Sequence, residues 1–223
     1  LGSAGATSWK MNFTNAPQSN TRVPIALANQ LCGCDLEPGE SDINANFNSD
    51  YSNWYLGTDG ATPAGQFDLM SIVLHEIGHG LGFAGTATFD ASDGTGDFWY
   101  NDPGWYDLFV VNVNVGVYGG YTHGTTLLGD VLQGSGNLLW NGTNGIAGNG
   151  GEKPELFDPN PWNPGSSYSH FADSYFLAGD INSLMTPFIG TAETIHYPGP
   201  ACIGLLEDLG WGVNYEEGCT DPD

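Results

Sequence analysis

The chain has 223 residues, and its 3 Lys and Arg against 26 Asp and Glu give a formal net charge of −23 at pH 7. This charge argues against a nucleic-acid partner, because phosphate binding requires basic patches, and against binding to an anionic membrane surface. The length allows one large domain with a substantial core. No apolar run reaches the roughly 18 residues of a transmembrane helix, and the 34 Gly and 13 Pro favour a loop-rich fold.

The acidic, lysine-poor composition is typical of secreted proteins and suits calcium binding. The chain starts at Leu1 without a signal peptide, as expected of a processed form. Its four cysteines predict two disulfides, for which three pairings are open. We favour Cys202 with Cys219, which leaves Cys32 to pair with Cys34 across a short loop.

The predicted elements begin with sequence rich in strands and turns over residues 1–65. Within it, residues 8–14 are strand-like, and residues 23–31 form a short apolar segment. Residues 42–48 alternate polar and apolar side chains, which predicts a half-exposed strand at a sheet edge.

The clearest predicted helix covers residues 66–81, and Gly82 suits its end. Its apolar residues recur at spacings of three and four and form one stripe. The stripe comprises Phe67, Met70, Leu74, Ile77 and Leu81. The following sequence is Gly-rich and irregular up to residue 163, with a strand-like part at 108–117. Pro200–Leu209 predicts a second helix that Pro begins and Gly210 ends.

The long helix carries the motif H-E-x-x-H over residues 75–79. Residues four apart project from one helix face, so His75 and His79 can bind one metal ion. Glu76 lies beside them, where it can take a proton from a metal-bound water. A chance motif on a surface helix is the alternative, but two of only five histidines occupy this spacing. The motif therefore predicts a zinc site.

Zinc in a catalytic site requires a third protein ligand and keeps water in the fourth position. Gly82 fits the extended motif H-E-x-x-H-x-x-G-x-x-H, but Gly85 stands where its last histidine would be. The third ligand must therefore come from elsewhere in the chain. One candidate is His170, which Met185 follows 15 residues later in the segment Ser-Leu-Met-Thr-Pro. The other candidate is Asp97, which lies in a Gly-rich segment.

The first arrangement resembles the metzincin metallopeptidases, and among them the leishmanolysin-like group, which inserts a long segment before the third histidine. The matching residues are 74–83, 169–171, 184–187 and 206–211. The resemblance implies that His75, His79 and His170 bind zinc and that Glu76 is the general base. Met185 would form an apolar floor beneath the metal without binding it. The chain departs from the compact motif in having 90 residues between the second and third ligands, where that motif has about five.

The resemblance implies a secreted, monomeric zinc endopeptidase that hydrolyses a protein or peptide through a zinc-activated water. The expected fold is α+β and metzincin-like, with a twisted mixed sheet and a long active-site helix over a Gly-rich, irregular C-terminal lobe. Residues 1–223 would form one catalytic domain, with an N-terminal lobe of about 1–83 and a C-terminal lobe of about 84–223. The edge strand at 42–48 would pair with an extended substrate.

Two other interpretations remain open. The sequence around Asp97 resembles the aspartate-bearing motif of the aspzincins, a different group of zinc peptidases, in which Asp97 would be the third ligand. The chain could also be a module that binds metal or carbohydrate without cleaving its ligand. Glu76 argues against such a module, since a site that only binds has no need of this carboxylate.

The remaining candidate residues are three aspartates and two histidines. Asp90, Asp93 and Asp97 lie close together among glycines, which is typical of a structural calcium loop or a solvated turn. His123 is expected in a loop. His196 follows the Met-containing segment, and we expect it to line the cleft and to donate to a substrate carbonyl.

Overall fold

The computed structural model describes residues 1–114, 116–117, 121–134 and 136–214. In this part, the chain forms five α-helices and eleven short strands. In place of the single twisted mixed sheet that the sequence predicts, the strands form four two-stranded sheets and one three-stranded sheet. Of the helices in the described ranges, none combines the length and the apolar character that crossing a membrane requires.

In the described residues, the first half of the chain contains six strands and two α-helices. The strands are β1 (Gly2–Ala6), β2 (Trp9–Lys10), β3 (Val23–Pro24), β4 (Ile43–Phe47), β5 (Trp54–Tyr55) and β6 (Phe67–Asp68). The helices are α1 (Ile25–Cys32) and α2 (Leu69–Gly80). The strand predicted at 42–48 is confirmed as β4, which pairs antiparallel with β1.

Helix α1 replaces the short apolar segment that was predicted over residues 23–31. Pro24 precedes its first turn with extended backbone, and Gly33 ends it in the left-handed conformation at φ 68°. The sequence between them is rich in Ala and Leu, which favour the helix. The buried residues of α1 are Ile25, Ala26, Leu27 and Ala28.

Helix α2 confirms the long helix, but its buried face is not the predicted apolar stripe. The buried residues are Ser71, Ile72, Glu76, Gly78 and Gly80. The stripe residue Ile77 is 39 % exposed. The physical reason is close packing on the other face, where a Cβ at Gly80 would lie 2.5 Å from the Ile43 side chain. The small and polar face of α2 therefore points inward.

The second half contains shorter elements. They are β7 (Ala87–Asp90), β8 (Thr95–Phe98), β9 (Val110–Asn112), β10 (Gly116–Val117), α3 (Thr126–Leu132), β11 (Leu138–Trp140), α4 (Thr143–Gly148) and α5 (Pro200–Leu209). The strand-like part at 108–117 is a 3₁₀ turn at Tyr106–Phe109 followed by β9 and β10, which pair antiparallel. The predicted helix Pro200–Leu209 is confirmed with its left-handed Gly210 cap.

One buried core joins residues from both halves of the chain, from Val23 to Leu209. Its aromatic rings contact one another, and Phe83 packs edge-on against Phe171 with 4.9 Å between ring centroids. Phe83 follows α2, and Phe171 follows His170. This contact therefore holds the end of the long helix against the distant segment that carries the third candidate ligand.

A disulfide joins Cys32 and Cys34 at the end of α1, as the favoured pairing requires. Within the described residues, Cys202 of α5 is buried and forms no disulfide, and burial raises the pKa of its thiol to about 12. Its predicted partner, Cys219, lies outside the described residues.

Candidate metal centre

The start of α2 is fixed by a buried carboxylate. Asp68 caps the helix by accepting hydrogen bonds from the Ser71 backbone N–H and the Ser71 hydroxyl, both at 2.7 Å. Thr62 also donates to it at 3.1 Å, and the His196 ring lies 2.8 Å away. A capping Asp satisfies helix N–H groups that have no partner within the helix. This network sets the orientation of the helix that carries the H-E-x-x-H motif.

Three histidine side chains meet on the inward face of α2. The Nε2 atoms of His75 and His79 lie 3.1 Å apart, and each lies 3.2 Å from Nε2 of His170. In the described part of the chain, this is the single group of three His, Cys, Asp or Glu side chains whose ligand atoms lie within 4.8 Å of one another.

Backbone carbonyls fix the tautomer of each ring. The Nδ1 atoms of His75, His79 and His170 lie 2.7, 2.8 and 2.7 Å from the carbonyl oxygens of Leu184, Phe83 and Ser166. A carbonyl oxygen can only accept, so each Nδ1 donates its hydrogen. In the neutral ring, Nε2 then carries a lone pair and no hydrogen. Three lone pairs therefore converge on one point, an arrangement that a cation stabilises.

The three rings are neutral at pH 7 because their surroundings disfavour the charged form. Burial lowers the pKa of His75, and burial together with the neighbouring His75 lowers that of His79 to about 4. Burial and both other rings hold the pKa of His170 well below its ordinary value. Metal binding requires neutral imidazole, so no proton has to be displaced before a metal binds.

The spacing of the nitrogens fits zinc. With Zn–N bonds of about 2.0–2.1 Å, two ligands at a tetrahedral angle have nitrogens about 3.3–3.4 Å apart. The observed separations of 3.1–3.2 Å are close to this value. If the three imidazoles held a zinc ion, a water could take the fourth position, as in catalytic zinc sites.

Glu76 lies next to the histidines and is 7 % exposed. Burial raises the pKa of its carboxyl, although a hydrogen bond from the Ala4 backbone N–H opposes this shift. Its side chain also lies against β1: a Cβ added at Gly2 would be only 3.0 Å from Glu76 Oε1. A carboxylate with a raised pKa is a stronger base than one in water.

The chain returns to α2 after the long insertion through two contacts. Gly85, which stands where the compact motif has its last histidine, donates its N–H to the Ser169 hydroxyl at 3.1 Å. The residue after Ser169 is His170, so this hydrogen bond holds the third histidine close to Gly85, which itself has no side chain to bind a metal. The Phe171 N–H then donates to the Met185 carbonyl at 2.8 Å, which connects the histidine to the Met-containing segment.

Met185 ends a 3₁₀ turn at Ser183–Met185 and is fully buried. A Cβ at Gly78 would lie 2.6 Å from Met185 Sδ, so a glycine is required where the methionine meets α2. The same turn supplies the Leu184 carbonyl that accepts from His75. The turn therefore both supports α2 and orients one of the histidines.

The other candidate residues lie elsewhere. The Asp97 carboxylate is 3.4 Å from the His123 ring and is not part of the histidine group. Asp90 and Asp93 accept hydrogen bonds from backbone N–H groups two residues further along the β7–β8 turn. The three aspartates do not form a ligand group in the described ranges. His196, predicted to line the cleft, instead contacts the Asp68 cap.

One edge of β1 faces the candidate metal centre. Leu1 accepts from the Asn48 N–H, and the Thr7 N–H donates to Asp42, both at 3.0 Å. Hydrogen-bonded pairs alternate in an antiparallel ladder, so the odd-numbered residues of β1 bond to β4. The backbone groups of Gly2, Ala4 and Ala6 point the other way, in agreement with the Ala4–Glu76 hydrogen bond. The strand beside the site is therefore β1, and the predicted edge strand β4 lies behind it.

A cavity lies on each side of the histidines. The first, of about 300 Å³, is lined by His75, Glu76 and Gly2 together with apolar residues that include Phe67, Ile72, Phe188 and Ile195. We call it the His75 pocket. The second, of about 350 Å³, is lined by His79, Ala4 and Ala6 together with Trp9, Trp99 and Trp162. We call it the tryptophan groove. Strand β1 runs along both cavities.

Sequence reasoning missed Asp68 and β1. Asp68 stands immediately before the apolar run of the helix, a position that predicts an N-cap. The sequence of β1, Gly-Ser-Ala-Gly-Ala, has no alternating pattern and so gives no signal for a strand.

Comparison with known proteins gives one match. Residues 5–93 match the model of a family described as SPBPB7E8-like. The match includes α2 with His75, Glu76 and His79 but ends before His170 and Met185. No curated protein and no solved structure matches the chain.

Proposed function

We propose that the protein is a secreted zinc endopeptidase of the metzincin type. The observation that carries the proposal is the convergence of three neutral imidazole Nε2 atoms within 3.2 Å of one another, beside a buried glutamate in a cleft. The Met185 turn, which packs against Gly78 of α2 and whose Leu184 carbonyl accepts from His75, supports the metzincin type. The acidic composition and the Cys32–Cys34 disulfide support secretion, since disulfides persist in oxidising compartments.

In the proposed reaction, three histidines would hold the metal and Glu76 would transfer the proton. A zinc ion held by His75, His79 and His170 would supply Lewis acidity towards a water and a peptide carbonyl. Glu76 accepts a proton from the attacking water, and its raised pKa brings its basicity closer to the operating pH. Glu76 then donates this proton to the nitrogen of the leaving amine. The Ala4 backbone N–H opposes the rise in the pKa of Glu76, which places this N–H beside the carboxylate.

The free edge of β1 gives the substrate a direction. An extended peptide that pairs antiparallel with β1 would contact the outward backbone groups of Gly2, Ala4 and Ala6. Since β1 runs from the His75 pocket to the tryptophan groove, the peptide would run the opposite way. Its residues before the cleaved bond would lie in the tryptophan groove, and those after it would lie in the His75 pocket.

The variant Glu76→Ala tests this proposal. Loss of a general base lowers the rate by about 10²–10⁴-fold, whereas zinc should stay at about one ion per chain, because Glu76 lies beside the ligands without being one. The measurements are cleavage of quenched fluorescent peptides and elemental analysis. Glu152→Ala, which changes an exposed glutamate, is the matched control and should keep full activity. Full activity of pure Glu76→Ala would contradict the mechanism.

A further inference from the structure

The tryptophan groove brings together indole rings from three distant parts of the chain. Trp9 lies in β2, Trp99 follows β8, and Trp162 lies in the insertion before His170. The groove also contains His79 and the outward edge of β1 at Ala4 and Ala6. It is therefore continuous with the candidate metal centre.

The indoles are held in place although one of them is exposed to solvent. Trp99 is 57 % exposed, yet its ring contacts Trp9 edge-on with 6.2 Å between centroids. Its backbone N–H donates to the Thr86 carbonyl at 3.1 Å, which fixes the main chain that carries the ring. Trp162 is held by Phe89 at 6.4 Å. A large aromatic surface that stays in water in a fixed position is characteristic of binding sites.

The chemistry of the groove selects against charge. None of the described residues that line it is an acid, a lysine or an arginine. The Arg22 guanidinium does not line the groove; its Cζ atom lies over the Tyr100 ring, 3.9 Å from the ring centroid. A charged side chain in the groove would lose water without gaining a partner, whereas an apolar one would gain by burial.

We propose that the tryptophan groove binds a bulky apolar side chain of the substrate, on the N-terminal side of the cleaved bond. The inference rests on the proposed function and adds a specificity to it. The direction follows from antiparallel pairing with β1, whose Ala4–Ala6 end lies in the groove. A volume of about 350 Å³ accommodates an aromatic or large aliphatic side chain.

A sugar ligand fits the groove less well. Sugar rings stack on open, flat aromatic faces, whereas the planes of Trp9 and Trp99 meet at 89° and form a corner. Such a corner can enclose two sides of a side chain. Thr88, Ser167 and Ser169 also line the groove, but the Ser167 and Ser169 hydroxyls already accept hydrogen bonds from the backbone N–H groups of Asn163 and Gly85.

The experiment uses zinc-loaded protein and peptides that differ at one of the four positions before the cleaved bond. Each position carries Phe, Leu, Ala, Asp or Lys in turn. We expect one position at which kcat/KM for Phe or Leu exceeds that for Ala by at least about tenfold, with Asp and Lys no better than Ala. In Trp99→Ala this preference should fall to about twofold or less. Leu127→Ala is the matched control, since Leu127 is 58 % exposed and lies outside the groove.

A binding measurement tests the preference for an apolar side chain independently of peptide cleavage. Fluorescence anisotropy of labelled Phe and Ala peptides on Glu76→Ala measures selection without cleavage. If the wild type cleaves no peptide, the proposed function fails, and the anisotropy preference alone decides the inference. Equal cleavage of all peptides, a preference that Trp99→Ala retains, or binding of oligosaccharides in place of peptides would overturn it.

Discussion

Replacing His170 by alanine distinguishes the two candidate zinc ligands. The His170 Nε2 atom lies 3.2 Å from those of His75 and His79, whereas the Asp97 carboxylate lies beside His123. If three histidines bind the metal, His170→Ala removes one ligand of three, and Asp97→Ala removes none. We therefore expect zinc to be lost from His170→Ala and retained in Asp97→Ala.

The size of the effect follows from the number of ligands. Zinc sites contribute about 10–16 kcal/mol of binding free energy, so one of three protein ligands is worth on the order of 3–5 kcal/mol. Since each 1.4 kcal/mol is about a factor of ten, the dissociation constant should rise by about 10²–10⁴-fold. His170 also donates to the Ser166 carbonyl, and leaving this carbonyl unbonded costs about 1–3 kcal/mol of stability.

The assay is competition for zinc against a chelator of known affinity, followed by elemental analysis after gel filtration. Circular dichroism on both variants shows whether they remain folded, which separates loss of a ligand from unfolding. Stoichiometric zinc in folded His170→Ala, with zinc lost from folded Asp97→Ala, would refute the three-histidine assignment and favour the aspzincin-like alternative.

Three further predictions concern stability. Donors from Ser71 and His196 hold the pKa of Asp68 below its usual range against the opposing effect of burial, so its ionised form stabilises the fold above the unfolded pKa of about 3.9. Asp68→Asn should therefore lower the free energy of unfolding in urea by about 2–4 kcal/mol at pH 7. The difference between the variant and the wild type should shrink as the pH falls below about 4. A difference that does not depend on pH would contradict this role of the Asp68 carboxylate. Gly204→Ala places a Cβ 2.2 Å from the Asn144 carbonyl where α4 meets α5, and should cost about 1–3 kcal/mol, whereas Gly212→Ala, with space around it, should unfold like the wild type. If the calcium site predicted from composition exists, calcium at 100 times its dissociation constant should add about 2.7 kcal/mol to the free energy of unfolding. Identical melting midpoints with and without calcium, at fixed zinc, would rule out this site.

The sequence predicts the chemistry of the site better than its surroundings. The helix, the H-E-x-x-H spacing and the Met-containing segment each have a local signal, because the ligands four residues apart must share a helix face. The structure brings His170 to the same point over the long insertion through the Gly85–Ser169 hydrogen bond. The sequence does not encode that contact as a pattern, because it joins residues far apart in the chain.

The packing of α2 shows why a hydrophobic pattern can mislead. The apolar stripe predicts the helix correctly but not its buried face, since the inward face carries the polar site residues and the glycines that admit Met185 and β4. The sheet edge at the cleft was assigned to β4, whose alternation is clear, although β1 occupies it. Small residues such as those of β1 leave no pattern, yet they allow a backbone to approach Glu76 closely.

The most direct test of the three-histidine zinc centre is X-ray absorption at the zinc edge on purified, zinc-loaded protein. We expect one zinc per chain with three imidazole nitrogens at about 2.0–2.1 Å. The same measurement on Glu76→Ala should give the same imidazole signal, because Glu76 is not a ligand. A spectrum with only two imidazoles, or protein that retains no zinc after removal of excess metal, would contradict the central claim.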